Sequence, residues 1–442
     1  MRNFLQLENV AIEADSTGIS QMLSETPIFS RGSGCWLFDT SGKRFFDATG
    51  GSGAINLGHQ HPRVIDAAMV QLQKLIHTGC KLQSDIRGEL VTKLGTFSPY
   101  KQCAVLFTVT GAEAIEAALK VARAYTERKL VIAFERSYHG KTTGALMATW
   151  REELKAYSVL PENGILHSPY PILHSLNQNH STEFCLEALK QTIQQAFDIG
   201  YPPAAILLEP IQVTEGILPA GREFLEGVIA IAKSFKCLTI FDEIYTGFGR
   251  CGTPFYASQP GITPDLMVIG KALGNGLPIS ATIGNPAVIN ALPSGIQTST
   301  FSGQPLACAV GSVVLDIMLE TMPWQQARRT GTLIVEFLKE LAINSSLISA
   351  PRGEGLMIGF DCVDCQGLPS PELAKAFTKK AMAKGLIFFC GGFEDSTIKL
   401  TPPLIVNEEE IQFLMSTLAQ VIAELETDNS HYMEKLALNL TP

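Results

Sequence analysis

Four short segments of this chain set chemically capable side chains at the ends of apolar runs. In VIGKALGNGLP (268–278), Lys271 follows such a run and precedes Gly274, Gly276 and Pro278. An amine desolvated there has a lowered pKa and becomes a nucleophile, although most lysines are solvated surface groups. In FDEIYTGFGR (241–250), Asp242 ends a second apolar run, and a carboxylate buried there asks for a cationic partner. The competing reading, a helix N-cap, is weakened by Gly247 and Gly249, which keep the chain from entering a helix. SYHGKT (137–142) follows the run LVIAF, so Tyr138 and His139 stand at a strand end, where an aromatic ring can stack on a planar ligand or simply pack. In TVTGAEA (108–114) a run ends at Thr110-Gly111-Ala112 and a helical pattern begins, so backbone N–H groups and the positive end of a helix dipole converge where a phosphate fits. Alone, that last segment reads at least as well as an ordinary turn that uses the φ freedom of Gly111. Together the four describe a phosphate cradle, a stacking aromatic, a buried acid and a buried amine. Pyridoxal 5'-phosphate (PLP) requires those four things: phosphate binding, ring stacking, an acid that keeps the pyridine nitrogen protonated, and a Schiff-base lysine.

The elements that must position these groups are read from hydrophobic periodicity. AVLFTV (104–109), LVIAF (130–134), AAILLE (204–209), LTIFDE (238–243) and DLMVIG (265–270) are near-continuous apolar runs suited to strands buried on both faces. Helical patterns fill the gaps; Ile115, Ala118, Leu119 and Ala122 fall at i, i+3, i+4 and i+7, one stripe to lie on a sheet. This predicts an α/β architecture with a mostly parallel sheet over 61–322. GCWLFDTSGKRFFD (34–47) reads as a β-hairpin followed by the Gly-rich loop 49–62, and after Pro323 come a long helix, the strand region RGEGLMIGFD, a helix near 371–384 and TIKLTPPLIV. The spacing therefore predicts a smaller α+β unit made from 1–60 and 323–442 together, since each part alone is too small for a good core. A polar tail follows about Leu425.

Composition bounds the partners. The 442 residues are 46% hydrophobic and 17% charged with a formal net charge of −9, a balance that argues against nonspecific attraction to nucleic acid or to an anionic membrane. The opening MRNFLQLENVAIEAD carries acidic residues where a secretory peptide needs an apolar core, and no stretch reaches the unbroken apolar length of a membrane span, so the sequence predicts a cytoplasmic protein. The ten cysteines are scattered mostly through apolar segments, as suits reduced thiols, and the lone CxxC of Cys362 and Cys365 is weak evidence for a metal or redox site.

With these residues in view, the chain resembles the class III aminotransferases of the ornithine, 4-aminobutyrate and diaminobutyrate type, in PLP fold type I, from about residue 25 to 425. The match runs through FDATGGSGAINLGHQHPRV, TGAEAIEAALKVAR, SYHGKT, LLEPIQ, DEIYTGFGR, the lysine segment and STFSGQPLACA. The resemblance implies that Gly111 and Ala112 bind phosphate, that Tyr138 stacks on the cofactor ring with Ile244 on its opposite face, that Asp242 pairs with the pyridinium, and that Lys271 holds the cofactor. It implies that Thr300 binds the phosphate of the neighbouring subunit's cofactor, hence a homodimer with shared sites. It also implies an aminotransferase that moves a terminal or ω-amine to a keto acid such as 2-oxoglutarate by ping-pong chemistry; an aminomutase or epimerase of the same fold, or a non-enzymatic descendant, are the alternatives. Three positions depart from the pattern. Tyr245 replaces a Gln that contacts the cofactor's phenolic oxygen. Many members read EPIQGE, whose last Glu gates the pocket together with an arginine; here Thr214 occupies that region and Glu215 is shifted by one. Lys399 stands where an Arg usually grips the substrate carboxylate, which leaves open either altered recognition or a simple point-charge anchor.

Overall fold

In a computed structural model that describes residues 26–158, 164–172 and 180–439 (side chains of 393 and 429–439 excepted), the apolar runs form one seven-stranded sheet. The opening segment MRNFLQLENVAIEAD lies outside the described residues. The strands are Ala104–Thr108 (β1), Leu130–Phe134 (β2), Ile165–Ser168 (β3), Pro203–Leu208 (β4), Leu238–Asp242 (β5), Leu266–Ile269 (β6) and Ser280–Gly284 (β7). Their order across the sheet is β1-β7-β6-β5-β4-β2-β3; β7 runs antiparallel to both neighbours and every other pair is parallel.

All five residues of β2 and all five of β5 are buried, which is why these strands read as unbroken apolar runs. Each fully buried Val, Ile, Leu or Phe contributes roughly 1.5–3 kcal/mol. Two strands escaped the sequence reading. The segment SATIG of β7 is wholly buried but built from small and hydroxylic residues. Thr282 Oγ1 is satisfied by donating to the Ala114 carbonyl at 2.7 Å, and a Cβ on Gly284 would meet the Asp265 carbonyl oxygen at 2.7 Å. ILHS of β3 is short and lies at the sheet edge.

The helix Gly111–Thr126 packs across the sheet with Ala114, Ile115, Ala118, Leu119 and Ala122 buried. Its start is fixed by a reciprocal capping box between Thr110 and Glu113. The hairpin strands Trp36–Asp39 and Arg44–Asp47 join, in parallel through Phe46, the C-terminal strand Leu386–Ile387, so the first and last parts of the chain share a sheet. A further antiparallel sheet contains Ile348–Glu354, Met357–Cys362, Phe389–Gly391 and Thr397–Leu400. The tail after Leu425 continues the helix Glu408–Asn439. Among the described residues no single helix is long and apolar enough to cross a membrane.

Candidate active site

β1, β2, β4, β5 and β6 all deliver their carboxyl ends to one edge of the sheet, and a cavity of about 670 Å³ opens there. Its lining includes Gly111 and Ala112 after β1, Tyr138 and His139 after β2, Glu209 after β4, Asp242 on β5 and Lys271 after β6. Five segments scattered over 160 residues of chain thus meet because parallel strands end together.

Lys271 opens a single 3₁₀ turn, Lys271–Gly274, with a left-handed φ of +42°. A non-glycine residue pays strain for that conformation, which aims its side chain into the cavity lining. Burial drives its amine down to about 7; Asp242 and Glu209 pull upward against it, and Lys399 and Arg250 push further down. No carboxylate forms an ion pair with it among the described residues; Nζ instead lies 3.5 Å from the centroid of the Tyr245 ring. The Tyr245 hydroxyl is 3.1 Å from Thr401 Oγ1, and the ring packs so closely on Gly53 (φ +77°) that a Cβ there would sit 2.3 Å from Cε1.

Asp242, 6% exposed, receives no Lys or Arg. The partner that its burial demands is His139, whose Nδ1 lies 2.8 Å from Asp242 Oδ2, while Oδ1 accepts the Ile244 N–H at 3.1 Å. A carboxylate at Oδ2 requires the proton on Nδ1, and Nε2 of the same ring is buried with no hydrogen-bond partner among the described residues. No helix begins at Asp242: the chain turns through 244–251 instead. Beyond His139 stands Glu209, which accepts N–H groups from Tyr138 at 2.9 Å and Val213 at 3.3 Å; burial lifts its carboxyl to about 7, with His139 pulling it down and Asp242 pushing it up.

At the other end of the cavity lining, the first helical N–H groups, those of Gly111 and Ala112, have no intramolecular acceptor among the described residues, and Ile244 packs against Gly111 so that a Cβ there would meet its Cδ1 at 2.7 Å. A flat ring carrying an anion fits this set: free N–H groups at a helix start for the anion, apolar and aromatic faces at Ile244 and Tyr138, an acid at Asp242 and an amine at Lys271.

Tyr245, Thr214 and Lys399 also line the cavity, whereas Thr300 does not; it lies exposed on the loop before the helix Pro305–Thr321, next to the exposed Phe301. The sequence reading missed Glu209, Phe389 and Thr401 as lining residues and gave His139 no part as the partner of Asp242. Glu209 carried a usable signal, an acid at the end of an apolar strand like Asp242; Phe389 and Thr401 reach the cavity only through the second antiparallel sheet and its continuation.

The model of the family "Aminotransferase class-III" matches residues 21–422 of this chain. The chain is a class III aminotransferase. It is 32% identical over 396 residues to the acetylornithine aminotransferase of Bacillus anthracis, covering 89% of this chain and 94% of the relative. It is 32% identical over 430 residues to the ornithine aminotransferase of Bacillus cereus (strain Q1), covering 95% and 100%. Among solved structures, an amine transaminase from an uncultivated Pseudomonas species, in its PLP-bound form, superposes with a TM-score of 0.84 at 25% identity, covering 93% of this chain and 97% of that one. The cofactor of this aminotransferase is PLP.

Proposed function

We propose that this aminotransferase moves a terminal or ω-amine, of a donor such as 4-aminobutyrate, ornithine or diaminobutyrate, to a keto acid such as 2-oxoglutarate in two half-reactions. The observation that carries the reading is the convergence of Lys271, Asp242, Tyr138 and the Gly111–Ala112 helix start on one cavity, with the Lys271 amine brought down to about 7. PLP, when bound, supplies the electron sink for the carbon that exchanges its amine. In this reading the N–H groups of Gly111 and Ala112 hold its phosphate, Tyr138 and Ile244 enclose its ring, and Asp242, oriented by His139, faces its pyridine nitrogen. Tyr245 offers its hydroxyl where relatives carry Gln. Lys271 Nζ would hold the cofactor and, once freed from it, would supply the base that takes the proton from the substrate carbon and gives it back. An amine near 7 is poised for both directions at neutral pH.

The same reading treats 61–322 as the cofactor-binding domain and 1–60 with 323–442 as a smaller one. It places the protein in the cytoplasm, in keeping with ten free cysteines. Thr300 serves the neighbouring subunit of a homodimer. The exposed apolar side chains Met69, Val70, Leu72 and Ile76, with His77 packed on Phe301 at 5.1 Å between centroids, support such an interface next to Thr300. The test is a donor and acceptor screen that reads loss of the lysine-bound cofactor's absorbance, with isotope-labelled nitrogen followed between separate molecules. Nitrogen that stays within one molecule points to an aminomutase, and failure of every amine overturns the reading.

A further inference from the structure

Beside Lys399 the cavity wall is built differently from the sheet edge. Lys399 lies on Thr397–Leu400, paired with Phe389, and both line the cavity. Its ammonium runs along the Gly391 backbone so closely that a Cβ there would meet Nζ at 2.4 Å, yet Nζ makes no hydrogen bond or ion pair among the described residues. Two acids are within electrostatic reach, Glu215 and Asp395. Both are turned to Arg151: its Nε donates to Glu215 Oε1, its Nη1 is 3.8 Å from Asp395 Oδ1, and its Nη2 donates to the Gly392 carbonyl at 2.9 Å.

The loop that carries Glu215 cannot readily swing. Gly392 N–H donates to the Thr214 carbonyl at 2.9 Å, and the buried Arg352 donates to the carbonyls of Gly216 at 2.9 Å and Ile217 at 3.1 Å while gripping Asp361 with both Nη atoms. Ile217, a β-branched residue, is held at φ +59°, a conformation that persists only where surrounding contacts over-determine it.

We propose that Arg151 is a positioning residue that keeps Glu215 off Lys399, so that the cavity presents a standing ammonium in both half-reactions and selects substrates bearing a carboxylate over neutral amines and carbonyls of the same skeleton. This deepens the aminotransferase reading and rests on it for the words "half-reaction" and "substrate". A half-desolvated cation without a partner gains a charge-assisted bond from a substrate carboxylate, whereas a neutral substrate leaves it unpaired. Lys399 is placed to act there, since it lines the same cavity as Lys271. The shift of Glu215 by one position in the sequence acquires a physical meaning: the acid no longer answers to the cation on Thr397–Leu400 but to an arginine from another loop.

The test uses the holoenzyme and matched ligands: 4-aminobutyrate against butylamine for the half-reaction, read by the cofactor's absorbance, and butyrate, which has no amine, for binding by calorimetry. Wild type should favour 4-aminobutyrate over butylamine by about a hundredfold or more in kcat/KM. Arg151→Ala should free the Glu215 side chain, on its fixed loop, to turn toward Lys399, raising KM for 4-aminobutyrate roughly tenfold with kcat little changed and weakening butyrate by the same factor. The double variant Arg151→Ala/Glu215→Gln should recover both, and Arg151→Lys should retain most of the wild-type preference. An unchanged butyrate affinity in Arg151→Ala, or no recovery in the double variant, overturns the proposal even if amines turn over normally. If no amine converts the cofactor but butyrate still follows this pattern, the transamination reading falls and the standing cation remains.

Discussion

The sheet edge and the wall that carries Lys399 enclose the same cavity on different terms. At the edge, each working group stands within five residues of the end of a strand, so its place follows from the strand that precedes it: Gly111 from β1, Tyr138 and His139 from β2, Glu209 from β4, Asp242 and Lys271 from β5 and β6. At the wall, Arg151, Glu215, Gly392 and Lys399 come from three loops and one short strand; Arg151 ties Glu215 and the Gly392 carbonyl together, and Lys399 stands unpaired beside them among the described residues. On the proposed reading the edge serves the cofactor, and the wall, a network of loop side chains, serves choice among substrates.

If the comparison is right, edge variants damage cofactor retention and turnover, and wall variants damage substrate KM. The largest effect is expected for Lys271→Ala, which should lower turnover by roughly 10⁴-fold, read by single-turnover absorbance, because on the proposed reading it removes the amine that moves the proton. Asp242→Ala should cost about 10²–10³-fold in kcat, the scale of losing one electrostatic stabiliser, with weakened cofactor retention on gel filtration; unimpaired turnover would remove Asp242 from the site. Reconstitution of apoprotein with PLP should fall about tenfold per pH unit below 7 and level off above it, since burial brings the Lys271 amine to about 7 and only its neutral form is nucleophilic. A limb near the ordinary lysine value would mean that Lys271 is solvated. At the wall, Gly392→Ala places a Cβ 2.2 Å from Thr397 Oγ1 at φ +80° and should raise substrate KM about tenfold, roughly 1.4 kcal/mol, while PLP affinity stays near wild type. A Gly392→Ala enzyme that sheds PLP would erase the distinction between the two regions.

The same contrast explains what was legible in the sequence. Apolar runs announced five of the seven strands, and a polar residue ending such a run announced Asp242 and Lys271, because burial on both faces leaves a plain compositional mark. β7 left no such mark because its buried positions are filled mostly by small and hydroxylic residues, and at Gly284 the Asp265 carbonyl leaves no room for a Cβ. Arg151 could not be singled out: nothing near it in sequence shows that a loop after Thr143–Ala148 will meet Glu215 and Gly392, since that meeting depends on tertiary closure. Nor could the partner of Asp242 be read as a histidine, because β2 and β5 are neighbours of β4 rather than of each other, and only the sheet order brings His139 across. Tyr245 was legible as a departure, but its packing on Gly53 and its place under Lys271 were not.

The central claim is that Lys271, at the sheet edge, carries the cofactor. Borohydride reduction of the holoenzyme followed by peptide mass spectrometry tests it most directly, because reduction fixes the cofactor to whichever lysine holds it. The account predicts a single modified peptide bearing the label on Lys271. Label on Lys399 or Lys141, the other lysines that line the cavity, would contradict it.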